Sequence, residues 1–141
     1  MSTTIDASGY YTLPLPVGTY TVEVRELGYR IATEVVIILP GAITTRHISL
    51  TPAPTLLLVD EGAWQYDSQI LYWEEALTAL AYTYDTVRIK HPHTDTPISP
   101  TLAQYDIVLW SSPRGAPGLV GGATPLKDYL EQGGRLFLSG H

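Results

Sequence analysis

A chain of 141 residues that is 45% hydrophobic and 16% charged has the composition of a globular protein with a sizeable core, not of a disordered one. The formal net charge of -6, with basic residues scattered singly from Arg25 to Arg135, excludes a nucleic-acid backbone as partner. No apolar run approaches the roughly 20 residues of a membrane span, Met1 to Asp6 lack the basic start and apolar core of a signal peptide, and zero cysteines exclude disulfides, thiolate metal sites and a Cys nucleophile.

In chain order, Asp6-Ala7-Ser8-Gly9 is a turn cluster. Tyr11, Leu13 and Leu15 alternate with polar and proline positions, which predicts a half-buried strand ending at an edge, since Pro14 and Pro16 lack a ladder donor. Pro16-Val17-Gly18 turns the chain. Thr19 to Arg25 then alternates, with Tyr20, Val22 and Val24 inward. Arg30 to Leu39 predicts a third strand and Thr44 to Leu50 a fourth, separated by the Pro40-Gly41 turn. Four short strands joined by turns predict a partial antiparallel β-sandwich. The Thr51-Pro52-Ala53-Pro54 stretch reads as a semi-rigid linker.

The pattern changes at Leu56 to Val59, a continuous apolar run ending in Asp60-Glu61-Gly62. Such a run predicts the central strand of a parallel sheet, buried on both faces. Ile70, Trp73, Leu77, Leu80 and Ala81 recur at helical spacing, with Asp67 or Ser68 as the cap. Thr86 to Lys90 predicts the next strand, His91 to Ser99 a polar loop, and Pro100 to Gln104 one helical turn capped by Ser99. Asp106 to Ser111 is a third strand. Gly115 to Gly122 is a glycine-rich loop, Pro125 to Gln132 a helix ended by Gly133-Gly134, and Arg135 to Ser139 a fourth strand. Right-handed crossovers then give an open α/β sheet in spatial order 2-1-3-4.

Two resemblances arise from these residues. Asp6-Ala7-Ser8-Gly9-Tyr10-Tyr11, Leu15 to Val24 and Gly28-Tyr29 together resemble the carboxypeptidase regulatory-like domain, which implies a transthyretin-like sandwich over residues 1–51. That family's opening strands precede the Asp-x-x-Gly turn and have no counterpart here, so the expectation is an incomplete domain. After the linker at 52–54, Leu57 to Gly62, Tyr105 to Trp110 and Leu130 to Gly140 resemble the glutamine-amidotransferase-like, flavodoxin-type domain. This implies an incomplete α/β domain over residues 55–141, of a kind found in large secreted bacterial proteins including subtilisin-like peptidases. The amidotransferase nucleophile is a Cys, and the chain has none.

Candidate site residues lie at the ends of the α/β strands. Asp60 and Glu61 sit at the carboxyl end of the central strand, where open sheets bind ligands. They read either as hard-cation ligands or as acids that solvate a βα loop. Response-regulator receivers also end their first strand in paired acids, but the third strand here ends in Trp110-Ser111-Ser112, where a receiver carries an aspartate. Ser111, Ser112 and Arg114 flank the switch point between the first and third strands and could grip a small anionic ligand. His91, His93 and Asp95 have metal-ligand chemistry, and in an extended chain the two imidazoles would share a face. Ser139-Gly140-His141 lacks the glycines of a nucleophile elbow, their positions being held by Phe137 and His141. No Gly-x-Gly-x-x-Gly succeeds the first α/β strand, so no dinucleotide is implied, and no cofactor is expected.

The resulting expectation is a non-catalytic accessory or binding fragment of a larger extracellular or cell-surface protein, whose partners are the other domains of its parent. The alternative is an enzyme or ligand-binding α/β domain that uses the cleft at the carboxyl ends of its first and third strands.

Overall fold

The computed structural model describes residues 1–65, 67–112 and 122–140. The chain divides into two compact units. One comprises Met1–Val24 and Thr33–Ser49, the other Arg25–Ala32 and Leu50–His141.

The first unit carries a two-stranded antiparallel sheet, β1 (Gly18–Val24) and β2 (Ala32–Ile38). Both alternate as expected, with Val36 buried. The strands expected at 11–15 and 44–50 are not formed. Pro14 and Pro16 cannot donate to a ladder, and the first segment joins none. The second runs beside β2 through side chains, not through a backbone ladder: Thr44 Oγ1 donates to the Ile37 carbonyl and Arg46 pairs with Glu34. The Asp6 turn forms around its own carboxylate, which accepts from the backbone N–H groups of Ser8 and Tyr10. Gly9 there takes a positive φ of 82°.

The second unit is built on a four-stranded parallel sheet, β3 (Leu56–Asp60), β4 (Asp85–Arg88), β5 (Ile107–Ser111) and β6 (Arg135–Ser139), in spatial order β4-β3-β5-β6. This is the expected 2-1-3-4 order. All five residues of β3 are buried, because helices cover both faces. Alternation sends Leu56 and Leu58 toward α1 (Ile70–Ala79), where they pack with Ile70 and Leu77. Leu57 and Val59 face the other way and pack with Leu102, Val108, Trp110 and Tyr129. After β4 the chain makes one short helical turn, α2 (Pro92–Asp95). Leu102 ends the short α3 (Ser99–Leu102), and Tyr129 lies on α4 (Ala123–Glu131). Ser99 Oγ does not cap α3 but donates to Asp128 at 2.8 Å. No helix among the described residues is long and apolar enough to cross a membrane.

Gly133 and Gly134 have separate physical causes. Gly133 ends α4 with φ 88°, the left-handed geometry that glycine adopts without penalty. Gly134 lies against the Tyr129 ring: an added Cβ would come within 2.3 Å of its Cζ. The ring is 2% exposed, and its hydroxyl donates to the carbonyls of Tyr105 and Arg135 while accepting from the Arg135 N–H. The Tyr129-to-Arg135 motif is thus a packing device that joins α4 to β5 and β6.

Residues 25–32 and the Thr51–Pro54 stretch are tied to each other and to the end of α1. The Arg30 N–H donates to the Thr51 carbonyl and the Ala53 N–H to the Gly28 carbonyl, both at 2.8 Å. The Arg30 guanidinium lies 3.6 Å from the centroid of the Tyr82 ring and bonds the Leu80 carbonyl. Thr83 Oγ1 reaches the carbonyls of Glu26 and Tyr29. Between these contacts Ala81 takes a left-handed φ of 56°, an uncommon conformation for a residue with a Cβ.

Candidate functional site

The carboxyl edge of the parallel sheet collects four of the expected residues: Asp60, Glu61, Ser111 and Ser112. Asp60 and Glu61 are each 1% exposed and Ser111 2%. β3 stops here because Glu61 begins a tight 3-10 turn (Glu61–Gln65) and the chain then folds back on Gly62. A Cβ at Gly62 would fall 2.3 Å from the Asp67 carbonyl oxygen, so only glycine admits the return.

The two neighbouring carboxylates are turned to opposite sides of the sheet. Asp60 continues the Leu56–Leu58 face and lies beneath the start of α1. Its Oδ2 accepts from Ser68 Oγ at 2.6 Å, and that hydroxyl lies 3.4 Å from the N–H of Ile70, the first residue of the helix. Unpaired N–H groups at a helix start favour negative charge, which offsets part of the cost of burying this carboxylate. Asp60 Oδ1 has no hydrogen-bond partner among the described residues. Glu61 instead faces the α4 side, where its Oε2 accepts from Trp110 Nε1 at 2.7 Å and from Ser112 Oγ. The carboxylate therefore acts as a strut between the end of β3 and the end of β5. Ser112 is held further by its N–H, which donates to the Ser139 carbonyl at 2.7 Å.

Arg114, expected to complete an anion grip with Ser111 and Ser112, lies outside the described residues, as does His141. A buried carboxylate, that of Asp60, occupies the start of α1.

The His91 to Asp95 segment is not extended. Residues Pro92–Asp95 form the helical turn α2, with Pro92 at its start. His91 is the extended residue before this turn and His93 lies within it, so the continuous extended chain on which a shared face was expected is not formed. Asp95 closes this turn: its Oδ2 accepts from the N–H groups of Lys90 and His91 at 3.0 and 2.9 Å, and its Oδ1 from Thr94 Oγ1. The hydrogen bond from His91, then those from Thr94 and Lys90, hold the Asp95 carboxyl below its ordinary value. Among the described residues no group of three His, Asp or Glu side chains is placed to hold a metal ion.

Sequence reasoning missed the partners that define the edge. Trp110 and Glu61 stand 49 positions apart, and no local pattern links an indole to a carboxylate at that range. Asp67 or Ser68 was expected to cap α1, whereas Gln69 stands at the cap position and Ser68 Oγ donates to Asp60.

Comparison with known proteins bears on the other half of the chain. Residues 1–51 match the carboxypeptidase regulatory-like domain family. That match includes β1, β2 and the Asp6 turn, where the motifs carrying the resemblance lie. Neither the curated proteins nor the solved structures yield a match to this chain.

Proposed function

We propose that this chain is a non-catalytic accessory and binding part of a larger extracellular or cell-surface multidomain protein, a subtilisin-like peptidase being the kind of parent it resembles. Its first half would be the end of a transthyretin-like sandwich, and its second half the start of a flavodoxin-type, glutamine-amidotransferase-like domain. The single observation that carries the reading is the match of residues 1–51 to a regulatory-like domain family. The use made of Glu61 supports it too: this carboxylate is spent on bracing Trp110 and Ser112, a structural task and not a proton-transfer one. The direct test is to assay the purified chain for glutaminase activity and for amide and ester hydrolysis. No turnover above the uncatalysed rate is expected, and hydrolysis that disappears in Ser139→Ala would overturn the reading.

One observation favours a second reading, in which the α/β half binds a ligand at the carboxyl ends of β3 and β5. Asp60 Oδ1 is buried and without a partner among the described residues, and buried polar groups are rarely left so. Trp110 reports on this edge through its bond to Glu61. An unpaired carboxylate oxygen accepts, so a change in Trp110 fluorescence on adding Mg²⁺, lost in Asp60→Asn, would support a site for a cation or hydrogen-bond donor. An unchanged spectrum would dismiss it.

A further inference from the structure

The opposite, amino edge of the sheet carries a feature that neither reading uses. A cleft of ≈ 600 Å³ opens there between Pro52, Pro54, Ala103, Asp106, Gly133 and Arg135. That volume lies within the range of small-molecule sites, roughly 300–1,000 Å³. The prolines and Ala103 supply a small apolar part of the wall, most of the exposed lining is polar, and the Tyr129 ring is sealed beneath it.

Two opposite charges lie on the rim. Asp106 immediately precedes β5 and Arg135 opens β6, with Ile107 and Arg135 in register. They are neighbours, yet they are not among the ion pairs of the described residues. Asp106 is fixed by one oxygen: Oδ2 accepts from the Thr55 N–H and from Thr55 Oγ1, both at 2.9 Å. No hydrogen bond from a described residue reaches its Oδ1 or engages the Arg135 guanidinium. The two bonds from Thr55, backbone first, hold the Asp106 carboxyl below its ordinary value, with the Arg135 charge adding to the effect. At neutral pH the rim thus carries one fixed negative charge and one positive charge. Tyr105 contributes no third charge, because burial and its bond to Asp85 push its phenol up to about 12.

A mainly polar cleft with a small apolar patch and one charge of each sign suits a compact ligand carrying both charges. We propose that this amino-edge cleft binds a small zwitterion of the α-amino-acid type, its carboxylate on Arg135 and its ammonium on Asp106 Oδ1. A simple anion is repelled by Asp106 and a simple cation by Arg135, so either gains less than a ligand carrying both charges. The inference is independent of the carboxyl-edge reading, which concerns other residues at the far end of the strands.

The test is a titration of the whole ¹⁵N-labelled chain with L-phenylalanine, tracked by amide chemical shifts. Two derivatives each remove one ligand charge: N-acetyl-L-phenylalanine lacks the ammonium and L-phenylalaninamide lacks the carboxylate. Saturable shifts confined to residues 103–106 and 132–135 are expected with the amino acid. Binding should be roughly threefold to fivefold weaker with either derivative, the scale of one exposed ion pair. Arg135→Gln should lower affinity for the amino acid by a similar factor while raising that for L-phenylalaninamide, whose ammonium no longer meets a like charge. Asp106→Asn keeps an oxygen for Thr55 and should lower affinity for the amino acid while raising that for the N-acetyl derivative. Should Asp106→Asn perturb the fold, Ala103→Trp fills the cleft, leaves both charges in place and should abolish the shifts. Absence of saturable shifts, or equal binding of all three compounds, would overturn the proposal.

Discussion

The two edges of the parallel sheet are made from similar residues and end in opposite states. At the carboxyl edge Asp60 and Glu61 are sealed, and the hydroxyls and indole of Ser68, Ser112 and Trp110 are turned onto them. At the amino edge Asp106 and Arg135 stand at the surface beside an open cleft. The difference lies in the path of the chain at each strand end. After β3 the chain folds back at once over its own end, through Gly62 and into α1. Before β5 and β6 it arrives through turns that leave the strand starts uncovered. Residue type alone does not decide whether a charged pair at a strand end becomes a strut or a rim.

The comparison can be broken most severely at Gly134. Replacing it with Ala drives a methyl into the Tyr129 ring, and the ring cannot move without losing three hydrogen bonds. A loss of about 3 kcal/mol or more is expected, read as failure to fold or a collapsed urea midpoint. Next is Glu61→Ala, which strands the buried Trp110 N–H. About 2–3 kcal/mol of destabilisation should result, with a shift in indole emission that the amino-edge variants do not cause.

Asp60→Asn sharpens the contrast, since the amide keeps an acceptor for Ser68 while removing a buried charge. A gain of about 1 kcal/mol in chemical denaturation is expected, the desolvation relief exceeding the loss of the helix-start interaction. A loss of that size would mean that Oδ1 has a partner. Ala81→Gly, at the far end of α1, should gain about 0.5–1 kcal/mol by relieving the left-handed φ.

The smallest effect is on pH. Asp95 near one edge and Asp106 at the other both have carboxyls held below the ordinary aspartate value by hydrogen bonds to backbone and side chain. A depressed carboxylate contributes its stability above the unfolded value and loses it as pH falls through the folded one. Acid unfolding below about pH 4 should therefore become shallower in Asp95→Asn and in Asp106→Asn. A profile unchanged in both would show that other groups govern the acid limb.

What was legible in the sequence depends on where the forces are local. Leu56 to Val59 announce a two-sided strand because burial on both faces leaves no polar position to alternate. Helix α1 was visible in its spacing, and so was the strand order, since right-handed crossovers leave few choices. The α4 ending was visible in Gly133-Gly134, although only the structure separates backbone freedom at the first from ring contact at the second. The strands expected at 11–15 and 44–50 failed because period-two alternation records which side chains turn inward and says nothing about ladder partners. The turn at Pro92–Asp95 was hidden because Asp95 reaches back to bond the backbone at its own start, a capping contact that no apolar period marks. The strut at Glu61 and the cleft at Asp106 and Arg135 were illegible for one reason: each joins residues that become neighbours only once β3, β5 and β6 lie side by side.

The loop at residues 25–32 has a consequence for how the chain is made. Arg30 finds the Leu80 carbonyl 50 positions downstream, and Glu26 finds Thr83 at 57. As the polypeptide leaves the ribosome, this loop emerges well before any of those partners. Its docking must wait until α1 has been synthesised and Thr83 has cleared the exit, by which time the residues on either side of it, β1 and β2, have long been free to pair. The order of synthesis thus sets one sheet before the loop within it is fully anchored, and a pause in translation near residue 83 would lengthen the interval in which the Glu26 and Tyr29 carbonyls wait for Thr83.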